Sequence, residues 1–166
     1  MMAKDFLIEF DHELRQTRKV LERLPEDKLT FRPHPRSKTL GALALHLAGI
    51  PSWTTNLLDE DSYDLAPDVA ASKVPAQPHT TLEVLEAFDR NVAKAHAHIA
   101  GQGEEKLATK WSLRRGSATV VTMPRRAVLR QFLMNHMIHH RGQLAVYLRM
   151  LDVPVPALYG PSADED

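Results

Sequence analysis

The chain contains no cysteine, and this absence excludes three kinds of chemistry at once. No disulfide can form, no side-chain thiolate can act as a nucleophile, and a zinc site with cysteine ligands is impossible. The absence fits a reducing compartment, and we expect a cytoplasmic protein. Any chemistry that needs a thiol would require one supplied from outside the chain.

The sequence also lacks a net charge and a long hydrophobic run. Its 21 basic side chains balance 21 acidic ones, so no net field attracts nucleic acid or an anionic membrane surface. No window approaches eighteen uninterrupted apolar residues, which argues against a membrane span. The N-terminal stretch "MMAKDFLIEFDHELRQ" has acidic residues within its apolar spacing and no signal-peptide core. We therefore expect a soluble protein that binds neither nucleic acids nor membranes.

The 166 residues and the apolar fraction of 43% predict a single globular domain spanning residues 1–166. Four segments have the apolar spacing of amphipathic helices, at about 5–24, 37–57, 80–99 and 124–151. Residues 110–122, "KWSLRRGSATVVT", alternate around a Gly-Ser turn, which predicts a short hairpin or extended segment. The fold class is therefore all-α, a four-helix bundle with this segment before the last helix. Periodicity alone leaves the order of the helices open.

Local signals mark the predicted helix ends. Ser37 is a candidate N-cap of the second helix, and Pro51 predicts a kink or local widening about one turn before it. Thr80 and Glu83 form a candidate capping box for the third helix. Pro124 suits the first turn of the last helix. The polar, proline-bearing stretch 59–79 is predicted to be a long loop.

Histidine is the unusual component, and three of the nine histidines lie in "NHMIHHRGQ", residues 135–143. On a helix turning about 100° per residue, His136 and His140 fall within the apolar stripe, and His139 lies at its margin. That stripe comprises Leu129, Leu133, Leu144, Tyr147 and Leu151. Two imidazoles four residues apart share a helix face, so both could bind one ion at about 2.0–2.1 Å. The alternative is a pair of hydrogen-bonded core histidines without a metal.

A third ligand is available on the second helix. His46 lies within roughly 60–70° of the centre of that helix's apolar face, so it points to the bundle interior or its rim. Three imidazoles are a usual ligand count for a catalytic zinc with an open position. His96 is predicted to lie on the inward side of the third helix and is a weaker fourth candidate. The remaining histidines are predicted to lie on the surface or in loops; they are His12, His34, His79 and His98.

Several neighbours of the predicted site have two interpretations. Asn135 and Gln143 could orient the imidazoles, or be ordinary polar residues of the helix. Arg141 and Arg149 could bind an anionic substrate, or lie on a solvated face or in a dimer salt bridge.

Two aromatic residues and the C-terminal tail also have more than one interpretation. Trp53 is expected to pack in the core, and Tyr147 could line the pocket. The tail "YGPSADED" could cover the site or a dimer edge, or be a frayed end.

The segments "SKTLGALALHLAGIPSW" and "NHMIHHRGQLAVYLR" resemble the DinB/YfiT-like superfamily of metal-dependent proteins, which shares only a name with the lesion-bypass DNA polymerase. The resemblance covers nearly the whole chain. It implies an up-down-down-up four-helix bundle that is usually dimeric. It also implies a divalent ion, often zinc or nickel, held by His46, His136 and His140. Some members of the superfamily are transferases or isomerases that use a low-molecular-weight thiol.

Two functional hypotheses follow. The first is a metal-dependent enzyme that activates a small thiol, or water, for transfer to an electrophilic small molecule, as an S-transferase or a hydrolase. Bound to the ion, either nucleophile would have its pKa lowered towards neutrality. The second is a non-catalytic metal-binding protein, a stress-related bundle or dimeric scaffold. An enzyme needs an exchangeable ligand position beside a pocket of roughly 300 Å³ or more, whereas a structural site would be closed by a fourth ligand.

Overall fold

The computed structural model describes residues 3–66 and 76–165. In this part of the chain the helices are α1 (Ala3–Leu21), α2 (Leu40–Gly49), α3 (Thr54–Asp59), α4 (Thr81–Ala100), α5 (Glu104–Ala108), α6 (Arg125–Val128) and α7 (His136–Met150). Short 3₁₀ turns occupy Glu26–Lys28 and Ile50–Trp53, and a π-helical segment, Leu129–Asn135, joins α6 to α7. The strands are β1 (Ser62–Asp64), β2 (Lys110–Arg115) and β3 (Ala118–Pro124). The fold is mostly helical, as predicted.

The two predicted N-caps have different outcomes. The prediction of Ser37 was wrong: Thr39 caps α2, and its hydroxyl accepts a hydrogen bond from the Ala42 amide at 3.2 Å. Thr80 is confirmed as the N-cap of α4, because its hydroxyl accepts from the Glu83 amide at 3.1 Å, whereas the return bond of a capping box to the Thr80 amide is replaced by a neighbouring one. The Glu83 carboxylate accepts from the His79 amide, one residue before the cap, at 2.8 Å. Both hydroxyls satisfy amides that have no partner inside their helix.

The second predicted helix is interrupted at its proline. A 3₁₀ turn, Ile50–Trp53, contains Pro51 and separates α2 from α3. Proline lacks an amide hydrogen and cannot complete the regular hydrogen-bond ladder. The turn therefore tightens around Pro51 itself, rather than widening one turn earlier as predicted. This interruption places Trp53 between α2 and α3, next to His46.

The core lies among the long helices. α1 and α2 each pack against both α4 and α7. Apolar residues spaced three or four apart fill the space between them; fully buried members include Phe10, Leu21, Leu43, Leu47, Phe88, Ile99, Leu144 and Leu148. Such burial supplies most of the stability of amphipathic helices. These contacts do not establish the predicted four-helix bundle with up-down-down-up order, which stays a prediction.

A small three-stranded sheet adds to the predicted helical architecture. The hairpin of β2 and β3 is confirmed, and Gly116 in its turn has a φ of +61°, which glycine adopts without strain. The missed strand is β1, which pairs in parallel with β2 and sets Tyr63 opposite Leu113. Three residues in a polar stretch carry too little periodicity to predict a strand. The rest of that predicted loop, residues 67–75, lies outside the described residues.

The last helix differs most from its predicted form. The predicted apolar stripe assumed a regular helix over 124–151, but the π-helical segment has a wider turn. Residues after it are therefore rotated relative to those before it. The buried face of α7 is Met137, Arg141, Leu144 and Leu148, while Tyr147 and Leu151 are only half-buried.

No helix in the part of the chain that the structure describes is both long and apolar enough to cross a membrane.

Candidate metal centre

Three imidazoles converge between the end of α2 and the start of α7. His46 lies in the last turn of α2, His136 is the first residue of α7, and His140 follows one turn later. The Nε2 atom of His136 lies 3.1 Å from Nε2 of His46 and 2.9 Å from Nε2 of His140. Candidate ligand atoms of all three lie within 4.8 Å of one another, and all three side chains are half-buried. The structure thus brings together the three residues predicted as ligands.

The nitrogen separations suit a common ion. Zinc–imidazole bonds of about 2.0–2.1 Å, with bond angles between 90° and 109°, place pairs of nitrogens roughly 2.9–3.4 Å apart. The separations from His136 to His46 and to His140, 3.1 and 2.9 Å, fall in that interval. Two of the three nitrogen pairs therefore have the spacing of ligands that share one metal ion.

The protonation of the ring nitrogens also favours a metal cation bound between the three imidazoles. The Nδ1 atom of His140 lies 2.7 Å from the Gln143 side-chain carbonyl. That oxygen can only accept, so Nδ1 carries the proton and Nε2 of neutral His140 carries a lone pair. Nε2 of His136 contacts both other imidazoles. If it carries a proton, it can donate a hydrogen bond to His140 or to His46, but not to both. An ion at the meeting point would satisfy all three nitrogens.

The histidines have lowered pKa values. Burial is the main cause for His46 and His136, and the neighbouring imidazoles add repulsion; both pKa values fall from 6.5 to about 4. Burial also lowers the pKa of His140, while its hydrogen bond to Gln143 acts in the opposite direction. All three imidazoles are therefore neutral at pH 7, the form that binds metal ions.

Packing holds the cluster in place. The Trp53 ring lies 5.0 Å from the His136 ring and 5.7 Å from the His46 ring, in edge-to-face geometry. Trp53 is half-buried and packs both against the core, as predicted, and against the site. The π-helical segment ends at Asn135 and sets the rotation at which His136 begins α7.

The other residues predicted near the site differ in whether they contact the imidazoles. Gln143 orients His140, as one interpretation proposed. His139 is exposed, with its ring 5.0 Å from that of His140. Asn135 accepts a hydrogen bond from Arg130 at 3.1 Å instead of contacting the imidazoles.

Two candidates are not brought to the cluster. Tyr147 donates to the Lys38 carbonyl at 3.3 Å and packs edge-on against Phe31. The prediction that His96 faces inward was wrong, because it is exposed and pairs with Asp11 at 3.5 Å.

The arginines and the tail form a structural contact. Arg141 is 1% exposed and donates to the Glu13 carboxylate at 2.7 Å and to the Glu13 backbone carbonyl at 3.0 Å. The Tyr159 hydroxyl donates to the same carboxylate at 2.6 Å. Arg149 pairs with Asp164 in the tail. The Arg141 guanidinium is buried and paired within the chain, so both predicted interpretations of it were wrong. Arg149 lies on an exposed face, as its second interpretation predicted. The tail is docked on α1 and α7.

A cavity of about 430 Å³ opens beside His136. Its described lining consists of Trp53, Asn56, Leu57, Tyr63, Leu65, Trp111, Leu113, Phe132 and His136. Sequence analysis missed most of these residues. The alternation of Trp111 and Leu113 on one face of β2 was the available signal, but only the pairing of β1 with β2 and the π-helical segment bring the wall together.

A second opening of about 280 Å³ lies on the His46 side and is lined by Lys38, Ala42, Leu45, His46 and Ala76. The Lys38 ammonium is close enough to contribute to the lowered pKa values of His46 and His140. Lys38 was also missed by sequence analysis. Lys38 thus provides a positive charge near the cluster, the property for which Arg141 and Arg149 were considered.

The fold and the cluster define a class: a mostly helical protein with three imidazoles placed to hold one divalent ion. The DinB family model matches residues 1–166, and the chain belongs to the DinB family. The predicted resemblance is thereby confirmed.

Individual relatives agree with this assignment. YrdA of Bacillus subtilis is 27% identical over 165 residues, covering 96% of this chain and 89% of that protein. A DinB-like protein from Bacillus cereus has a TM-score of 0.72 at 23% identity, covering 95% of this chain and 98% of that one. The DinB-like protein YjoA of Bacillus subtilis has a TM-score of 0.69 at 20% identity, covering 95% and 99%. At these identities the two solved structures establish the fold alone.

Proposed function

We propose that the protein is a metal-dependent enzyme in which His46, His136 and His140 hold a divalent ion, with zinc or nickel the expected metals. The convergence of three neutral imidazole nitrogens supports this proposal most directly. When bound, such an ion lowers the pKa of a coordinated small thiol or water towards neutrality. The reaction is transfer of that nucleophile to an electrophilic small molecule.

The surrounding residues have separate tasks. Gln143 keeps the proton of His140 on Nδ1, so that Nε2 stays available. Trp53 packs against two of the imidazoles and limits their rotation. Lys38 lies where it could attract the carboxylate of an external thiol.

The accessibility of the site to a small molecule favours a catalytic metal site over a closed structural one. Of the described residues, only these three offer ligand atoms in a group tight enough for one ion, and a cavity adjoins His136. Three protein ligands and an adjacent cavity suit a centre with an exchangeable position.

The primary test is metal content. Protein prepared metal-free and then incubated with Zn²⁺ or Ni²⁺ should bind one ion per chain, measured by elemental mass spectrometry after desalting. His140→Ala should lose this ion while circular dichroism shows unchanged helical content. The matched control is His139→Ala, which removes the exposed neighbouring imidazole and should keep the ion. Full occupancy in His140→Ala would overturn the ligand assignment.

Catalysis is tested separately with the cobalt-substituted protein. Addition of a small thiol such as glutathione should change the visible d–d absorption, because a sulfur ligand enters the cobalt coordination shell. No change with several thiols would favour a hydrolase or a scaffold instead.

A further inference from the structure

The cavity beside His136 has an unusually apolar wall. Apart from His136, its described lining contains two polar side chains, Asn56 and Tyr63, and no charged residue. The other lining residues are two tryptophans, a phenylalanine and three leucines. A charged ligand would therefore lose its hydration without gaining an ion pair from the described wall, which disfavours its binding.

Strands β1 and β2 and the π-helical segment form part of the cavity wall. Trp111 and Leu113 project from the same face of β2, and β1 sets Tyr63 beside Leu113. Phe132 comes from the π-helical segment, and its ring lies 6.3 Å from that of Trp111. Aromatic rings on several sides favour a flat, apolar guest.

The cavity adjoins the centre of the histidine cluster. His136 lines it, and Nε2 of His136 is the nitrogen in contact with both other imidazoles. Lys38 lines the other opening, on the His46 side. The cluster thus has an apolar approach and a basic approach, which suits two reactants of different polarity.

We infer that the 430 Å³ cavity binds a neutral, mainly apolar small molecule, preferably one with an aromatic ring. At about 30 Å³ per water-sized group, it holds roughly ten to fourteen non-hydrogen atoms. This inference rests on the proposed function, in which the molecule is the electrophile and the nucleophile comes from the Lys38 side. The Asn56 side-chain amide donates one hydrogen bond to the Ser62 carbonyl at 3.5 Å, and its second N–H is the polar partner for a single carbonyl-type group on the guest.

Intrinsic fluorescence reports on this cavity directly, because the chain has only two tryptophans and both line it. Two probes of nearly equal size differ in charge: 4-phenylbutan-2-one is neutral, and 4-phenylbutanoate is an anion. In metal-free protein the ketone should give a saturable emission change, with an affinity at least tenfold higher than that of the anion. Equal affinities, or no saturable change with the ketone, would overturn the inference.

Variants of the two sheet strands give a matched comparison. Leu113→Asp places a charge in the wall and should weaken ketone binding at least tenfold, while Val120→Asp, at a 56% exposed position outside the lining, should not change it. Leu113→Phe fills part of the cavity without adding charge. It provides an independent test of the cavity if the Leu113→Asp variant misfolds. It should also weaken binding, as measured by calorimetry. Unchanged binding in both Leu113 variants would contradict the assignment.

The metal-free measurements separate this inference from the proposed function. Ketone binding that persists in His140→Ala would support the cavity even if the ligand assignment failed. Zn²⁺ loading of the wild-type protein should change the ketone affinity at least threefold, because the guest lies beside the ion. No change on loading would show that the guest does not approach the ion and would contradict its role as the electrophile.

Discussion

At the scale of single residues, the site depends on where one proton is placed. His140 can offer Nε2 to an ion only if its proton stays on Nδ1, and the Gln143 side-chain carbonyl accepts a hydrogen bond from Nδ1 at 2.7 Å. Gln143 itself is exposed, so its role is to orient the imidazole rather than to fill the core. Hydrogen bonds of this kind raise the affinity of histidine sites for metal ions.

Substitution of Gln143 tests this role. Gln143→Leu removes the acceptor and should weaken Zn²⁺ binding by about 10–100-fold, as measured by competition with a chromophoric chelator. Gln143→Glu restores an acceptor and should bind Zn²⁺ at least as tightly as the wild type. Equal affinity in all three proteins would show that the hydrogen bond does not orient His140.

The lowered pKa values of His46 and His136 predict a pH-dependent stability. Their folded values lie near 4, below the 6.5 of an unperturbed histidine. Between these values the unfolded chain binds more protons than the folded one, so the free energy of unfolding falls as the pH falls from about 6.5 to about 4. Above pH 6.5 this effect is absent.

Urea denaturation of the metal-free protein at pH 7.5, 6 and 5 measures this dependence. His46→Leu should show a shallower loss of stability over the same range, since one group with a lowered pKa is removed. The same slope in both proteins would mean that these histidines do not carry the effect.

At the scale of elements, the π-helical segment decides where the histidines point. It lies directly before His136 and also contributes Phe132 to the cavity wall. Wider turns of this kind recur at functional sites because they rotate the following helix relative to its core contacts. Here the rotation lets Met137 and Arg141 take the buried face while His136 and His140 remain half-buried at its edge.

Insertion of one alanine after Gln131 tests the segment. Gln131 is exposed within it, and one additional helical residue there would turn α7 by roughly 100° relative to α6. We expect the insertion variant to lose stoichiometric Zn²⁺ binding. Gln131→Ala, with unchanged helix length, is the control and should bind normally. Wild-type affinity in the insertion variant would show that the rotation of α7 does not set the site.

At the scale of the whole molecule, a buried ion pair joins distant parts of the chain. Arg141 of α7 meets Glu13 of α1, and Tyr159 of the tail donates to the same carboxylate. The Arg141 and Glu13 side chains are 2% and 7% exposed. Because Arg141 directly follows His140, this contact fixes α7 against α1 next to the histidine cluster.

Arg141→Met should destabilise the protein by about 3–5 kcal/mol, since it leaves the Glu13 carboxylate buried without its partner. Arg149→Met, on the same helix, removes an exposed ion pair with Asp164 and should cost at most about 1 kcal/mol. Urea denaturation compares the two variants. A similar small cost for both would show that the Arg141 contact is not decisive for stability. The homodimer implied by the resemblance stays a prediction, which sedimentation would measure.

The sequence by itself determined the mostly helical fold, the N-cap at Thr80, the hairpin and the three histidines that converge. These follow from local periodicity, turn chemistry and the spacing of His136 and His140 on one helix. The family is also evident from the segments around His46 and His140. The caps and turns depend on residues a few positions apart, so local sequence is sufficient for them.

Only the tertiary structure decided the remaining features. The shifted stripe of the last helix depends on a π-helical turn that no periodicity marks, and the partner of Arg141 lies 128 residues away at Glu13. The parallel strand β1 is recognisable only once β2 lies beside it. The cavity wall likewise combines α3, β1, β2 and the π-helical segment. Each of these features is set by packing between distant segments, which local sequence does not specify.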